Sequence, residues 1–152
     1  MKKKALYLIC IVVVLLICSI AYFRPMSLAD TVGEHTQFDM ILNEFGIKDG
    51  KPDTKTAEYS DITEKQNSAV LSLLDKYTYT RTFATPVSDG TIHDIGARML
   101  SLHAFDENAS VNTVIVVTDS GKITVNDKNY HMNKAHQFIE EIAAVMERAG
   151  EQ

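Results

Sequence analysis

Residues 5–23, ALYLICIVVVLLICSIAYF, run for 19 positions without a charge, with Lys2, Lys3 and Lys4 before them and Arg24-Pro25 after. A helix over that stretch is about 28 Å long, close to the ~30 Å hydrocarbon core of a bilayer. A run this rich in apolar side chains must be taken out of water, and a span of lipid is the simplest way to do it. The chain is therefore expected to divide into a cytoplasmic segment 1–4, a transmembrane anchor 5–23, a stalk 24–36 and an extracytoplasmic domain 37–150. The three leading lysines keep the N-terminus inside by the positive-inside bias, which sends the rest of the chain out. The alternative is a signal peptide, cleaved at Ser19-Ile20-Ala21 or Ser27-Leu28-Ala29 to give a secreted protein. A run longer than the ~7–15 residues of a typical signal core favours the anchor.

Cys10 and Cys18 are the only cysteines, and both lie in the apolar run. Ile9 and Ile17 precede them where a lipoprotein signal wants a small residue, so neither is expected to be lipidated. The exported part has none and must fold without disulfides. Beyond residue 23, 129 residues remain, enough for one domain with a core of its own. They carry 12 Lys and Arg against 20 Asp and Glu, a net charge of −8. Nucleic acid and anionic lipid surfaces want the opposite sign, so no nucleic-acid partner is expected.

Pro25 and Gly33 interrupt residues 24–36, which show no sustained periodicity and suit a stalk. Phe38, Met40 and Leu42 then alternate with Gln37, Asp39, Ile41 and Asn43, a half-buried strand that continues to Ile47. Asp49-Gly50-Lys51-Pro52 turns it into a second strand at 54–59, making a hairpin. Asp61 with Glu64 three positions on is a helix-starting pair. Ile62, Ala69, Val70, Leu73, Leu74 and Tyr77 follow at helical spacing. The stretch Tyr77 to Phe83 alternates aromatic and β-branched residues and predicts a strand with Tyr77, Tyr79, Arg81 and Phe83 on one face. After a loop at 85–97, strands are predicted at 98–105 and 111–118, the latter apolar on both faces and so central. Short strands at 122–125 and 129–132 follow, separated by turns at Asp119-Ser120-Gly121 and Asn126-Asp127-Lys128. Asn133 is expected to cap a final helix lined by Phe138, Ile139, Ile142, Val145 and Met146 and ending at Gly150. The whole is an α+β domain: a mostly antiparallel sheet of five to six strands, two layers, with two helices on one face.

The lysine-rich leader with a single apolar segment, the helix running into KYTYTRTF (76–83), and GKITVNDKNYHM (121–132) feeding FIEEIAAVMER (138–148) resemble the small secreted or membrane-anchored domains of unknown function of Gram-positive bacteria. The likeness covers most of residues 37–148. It implies the same fold and an extracytoplasmic location, and implies no activity.

No catalytic set stands out, and no residue is assigned a catalytic, cofactor-binding or metal-binding role. His35, His93, His103, His131 and His136 all lie in the exported part. The closest two, His131 and His136, are spaced wider than the usual zinc pairs. Ser120 in Asp119-Ser120-Gly121 lacks the leading glycine of a nucleophile elbow and falls in a turn. Gly46, Gly50 and Gly96 are isolated and make no phosphate loop. Asp49 and Asp53 fall short of a calcium loop because Lys51 and Pro52 break the ligand alternation. Asn108-Ala109-Ser110 is a glycosylation sequon only in a eukaryotic secretory pathway. The sequence thus favours a non-enzymatic binding or accessory module. Such a module holds the membrane through residues 5–23 and meets an envelope protein or glycan through its sheet face or the loop 85–97, with no cofactor. The alternatives are a metal-dependent or hydrolytic enzyme using histidines and carboxylates, and an accessory subunit of a larger membrane complex.

Overall fold

The computed structural model describes residues 2–33, 36–60, 62–93, 96–105 and 111–147. The elements run α1 (Lys2–Tyr22), β1 (Met26–Ser27), α2 (Ala29–Val32), β2 (Gln37–Lys48), β3 (Lys51–Tyr59), α3 (Glu64–Lys76) and β4 (Thr78–Tyr79). A 3-10 turn (Thr85–Val87) follows, then β5 (Arg98–Phe105), β6 (Val111–Thr118), β7 (Lys122–Val125), β8 (Lys128–His131) and α4 (Ala135–Glu147). Six strands form one sheet in the order β3-β2-β5-β6-β7-β8, every neighbouring pair antiparallel. The molecule is α+β with a mostly antiparallel sheet, and β6 lies inside it as its sequence requires.

Turn chemistry sets the register of the hairpins. Asp49 and Gly50 both take positive φ between the paired Lys48 and Lys51, and Asn126 and Asp127 do the same between Val125 and Lys128. Two consecutive left-handed residues make the tight turn whose twist matches the flanking strands. Alternation then sorts the faces. Phe38, Met40 and Leu42 of β2, Leu100, Leu102 and Ala104 of β5, and Ile115 and Val117 of β6 are buried in one core. On the other face Ile41, Ser101, His103, Val114 and Val116 are half-buried. Helix α3 adds Val70, Leu73 and Leu74 to the core, and α4 adds Phe138, Ile139, Ile142 and Met146.

Three expectations change. The segment 24–36 is not a stalk: Met26 and Ser27 pair with Tyr79 and Thr78, and Leu28 and Val32 are fully or almost fully buried in the main core. Thr113 and Tyr79 bind this segment through Thr31, and the Thr36 hydroxyl donates to the Val32 carbonyl at 2.6 Å. The aromatic strand ends at Tyr79, with Thr80 bridging to His131, because β1 offers it only two residues to pair with. Helix α3 is capped by Thr63, whose hydroxyl accepts the Gln66 N–H while the Gln66 side chain accepts the Thr63 N–H. The capping pair therefore sits two residues beyond the expected one, and Asp61 lies outside the described residues. The same holds for the predicted helix end at Gly150.

Among the described residues, no helix is long and apolar enough to cross a membrane. Helix α1 is 21 residues long. Its described apolar side chains, from Leu6 to Ile20, are exposed along their length.

Candidate functional site

A cleft of about 280 Å³ opens beside the last strand of the sheet. One wall is the β7–β8 hairpin, giving Lys122, Asn129, Tyr130 and His131. The other is the loop after β4, giving Thr82, Thr91, Ile92 and His93. The two walls are far apart in sequence, and Asn129 makes most of the bonds that join them. The Asn129 N–H donates to the Ser88 hydroxyl, and its carbonyl accepts from Thr85 at 2.6 Å. Its side-chain amide donates to the Thr91 carbonyl, and its side-chain oxygen accepts from Thr124. Lys128 adds a bond from its ammonium to the Ser88 carbonyl. Gly90, at positive φ, lets the loop come so near that a Cβ there would lie 2.9 Å from the Asp127 Cα.

Inside the loop, Thr85 is buried, and its hydroxyl accepts the Thr82 N–H while donating to Asn129. Asp89 accepts the Thr91 N–H at 3.0 Å. That bond, the Thr91 side chain and nearby His93 hold its exposed carboxyl below the usual value. His131 exchanges two backbone bonds with Thr80, and its Nε2 lies 2.9 Å from the Asn133 side-chain oxygen. Its ring covers Gly121, which sits at positive φ and where an added Cβ would lie 3.0 Å from the imidazole. The expected capping residue of α4 is thus turned toward His131.

The lining is rich in groups that hydrogen-bond: two threonines, an amide, a phenol, two imidazoles and an ammonium. Among the described residues no carboxylate lines the cleft. Burial raises the Tyr130 phenol, and neighbouring Tyr79 adds to the effect, so the hydroxyl is a stable donor at ordinary pH. Such a surface matches a polar or anionic group on a partner.

Of the five histidines, His93 and His131 share this cleft, a pairing across 38 positions that spacing alone cannot show. His136 instead pairs with Glu140 one helical turn away at 3.3 Å, and His103 is half-buried on the open sheet face. His35 lies outside the described residues, as does the sequon 108–110. Among the described residues no three or more His, Cys, Asp or Glu are grouped to hold a metal. Ser120 shares a hydrogen bond with Thr118 in its turn. Asp49 forms the β2–β3 turn, and Asp53 pairs opposite Gly46. Cys10 and Cys18 are free and exposed on α1.

The row Tyr77, Tyr79, Arg81 and Phe83 divides along its length. Tyr77 is buried edge-to-face on Phe138, and Tyr79 is buried against Tyr130. Arg81 lies over the Tyr22 ring, and Phe83 is 89% exposed, touching Phe23. One end of the row is core and the other is surface. Sequence reasoning missed the second wall of the cleft and the role of Asn129. The turn signals Thr85-Pro86 and Asp89-Gly90 mark the loop, but nothing local shows what it packs against.

No protein-family model, curated protein or solved structure matches this chain.

Proposed function

We propose that this chain is a membrane-tethered, extracytoplasmic binding module without enzymatic activity, which takes a polar or anionic group of an envelope protein or glycan into the cleft between residues 82–93 and the β7–β8 hairpin. The observation that carries the reading is a cleft lined by hydrogen-bonding groups and, among the described residues, by no carboxylate, set in an acidic domain that continues directly from an exposed apolar helix. The described part of α1 falls short of a span. Support for the anchor therefore comes from the sequence, in which the uncharged run from Ala5 to Phe23 has the length of a bilayer core.

A photo-reactive amino acid in place of Ile92, in the intact chain in living cells, tests the binding reading. Capture of an envelope component that Asn129→Ala weakens supports it, and capture of nothing above a probe placed at Ile47 removes it. A reporter fused after Gln152 that works only in the cytosol would remove the location. His93 and His131 in one cleft favour a second reading, a metal-dependent or hydrolytic enzyme. Retention of zinc by the purified chain, lost in His131→Ala, would select it.

A further inference from the structure

Outside α1, the exposed large apolar side chains among the described residues are Ile47, Phe83 and Val87, and two of these three lie on one loop. From Thr82 to Ser88 the chain is TFATPVS, with no charge. Phe83, Ala84, Pro86 and Val87 are all exposed, while Thr85 is buried and pins the loop from inside. The loop is thus a built surface that holds four apolar side chains in water.

Its position relative to α1 is fixed by contacts. The Phe83 ring meets Phe23 edge-on at 4.8 Å between centroids, and Phe23 meets Tyr22 at 4.9 Å. The Tyr22 hydroxyl donates to the Thr82 carbonyl, and the Arg81 guanidinium donates to the Tyr22 carbonyl while lying 5.6 Å from the centre of its ring. Tyr22 and Phe23 end the apolar run, so the loop stands level with the place where the helix leaves its apolar surroundings. Aromatic rings and arginine are the side chains that settle at that depth, with an apolar body on one side and water on the other.

Charge points the same way. No acidic residue occurs between Asp75 and Asp89, although the exported chain is strongly acidic, and Arg81 precedes the loop while the Lys128 ammonium bonds its end at Ser88, with Asp89 the first carboxylate beyond it. We infer that the loop Thr82–Ser88 is a second membrane contact, inserting Phe83 and Val87 at the boundary of headgroups and acyl chains in the leaflet that receives the C-terminal end of α1. This rests on the reading of residues 5–23 as a membrane anchor. The occupant is lipid, because the surface continues the apolar surface of the helix and carries positive charge at its margin. With two contacts the domain cannot swivel freely, and the cleft, which shares this loop, is held at the lipid surface.

The chain contains no tryptophan, so Phe83→Trp gives a single fluorescent probe. The full chain is reconstituted in vesicles of phosphatidylcholine and phosphatidylglycerol, with and without lipids brominated near the headgroup end of the acyl chain. Phe23→Trp serves as the anchor reference, Ile47→Trp as the distal control and Val87→Trp as a second probe of the loop. The expected result is quenching at 83 and 87 comparable to that at 23 and several-fold greater than at 47. Quenching at 23 with none at 83 or 87 overturns the loop contact and leaves the anchor standing. No quenching at any position, with a chain that fails to float with the vesicles, overturns both. A photo-cross-link from position 83 to a protein in native membranes, without quenching in pure lipid, gives the loop to a protein partner and overturns the lipid assignment.

Discussion

Tyr77 shows how a single buried side chain sets a limit on stability. Burial, the negative charge of Glu141 and a hydrogen bond to it push the phenol from 10.0 up to about 12. The folded state then holds the proton more tightly than the unfolded chain. Its contribution is complete below the unfolded value and is lost as pH rises from 10.0 to about 12. Tyr59 and Tyr130 are raised too, mainly by burial. The urea midpoint should therefore fall with pH across that window, and Tyr77→Phe should flatten the fall; an unchanged slope would show that Tyr77 does not supply it. Asn129 gives the second residue-scale prediction. Asn129→Ala removes the bonds to Thr91 and Thr124 and should cost about 1 kcal/mol by chemical denaturation, since Thr124 keeps the Gly90 carbonyl as a partner and the Thr91 carbonyl is open to water. Neither effect is legible in sequence: Tyr77 is visible as the end of a helical stripe, but Glu141 and Asn129 gain their meaning from distant neighbours.

Elements were legible where a period ran long enough. Strand β2 shows its alternation over Phe38, Met40 and Leu42, β5 over Leu100 and Leu102, and α4 its stripe from Phe138 to Met146. The Asp49-Gly50 and Asn126-Asp127 turns announce their hairpins because few residues accept positive φ in succession. The start of α3 was displaced because Asp61 and Thr63 are both good caps with a suitable partner three positions on. The geometry selects Thr63 and Gln66, and Thr63→Ala should cost about 1 kcal/mol of stability, measured by thermal or urea unfolding. The short elements were invisible. A two-residue strand and a four-residue helix carry no period, and Met26 to Val32 belongs to the fold only because β4 and the core are there to receive it.

For the whole molecule, the boundary between leader and domain moves toward the N-terminus. A fragment beginning at Met26 keeps β1, Leu28 and Val32 and should unfold cooperatively. One beginning at Gln37 loses the burial of both apolar side chains, about 1.5–3 kcal/mol each, and the pairing of β4. A clear drop in the urea midpoint, or aggregation, is expected for the shorter fragment; equal midpoints would return residues 26–36 to the status of a tether. The fold class and the sheet's hairpins were open to reading from one chain, while the cleft was not. It is made where residues 82–93 meet 122–131, and its architect, Asn129, is an ordinary polar residue in an ordinary short strand.

The direct passage from α1 through Arg24-Pro25 into β1 also decides how the molecule answers to force. A pull applied at the N-terminal helix reaches the domain first through Tyr22 and Phe23, which hold Arg81, Thr82 and Phe83, and then through Met26 and Ser27, whose pairing with Tyr79 and Thr78 is, with only two residue pairs, the shortest between two strands among the described residues. Parting of these two sets of contacts would withdraw Leu28 from the core and free Thr80 and His131 from the support of β4. Tension is thereby delivered to one rim of the cleft, while the long pairings of β2, β3, β5 and β6 stay unloaded.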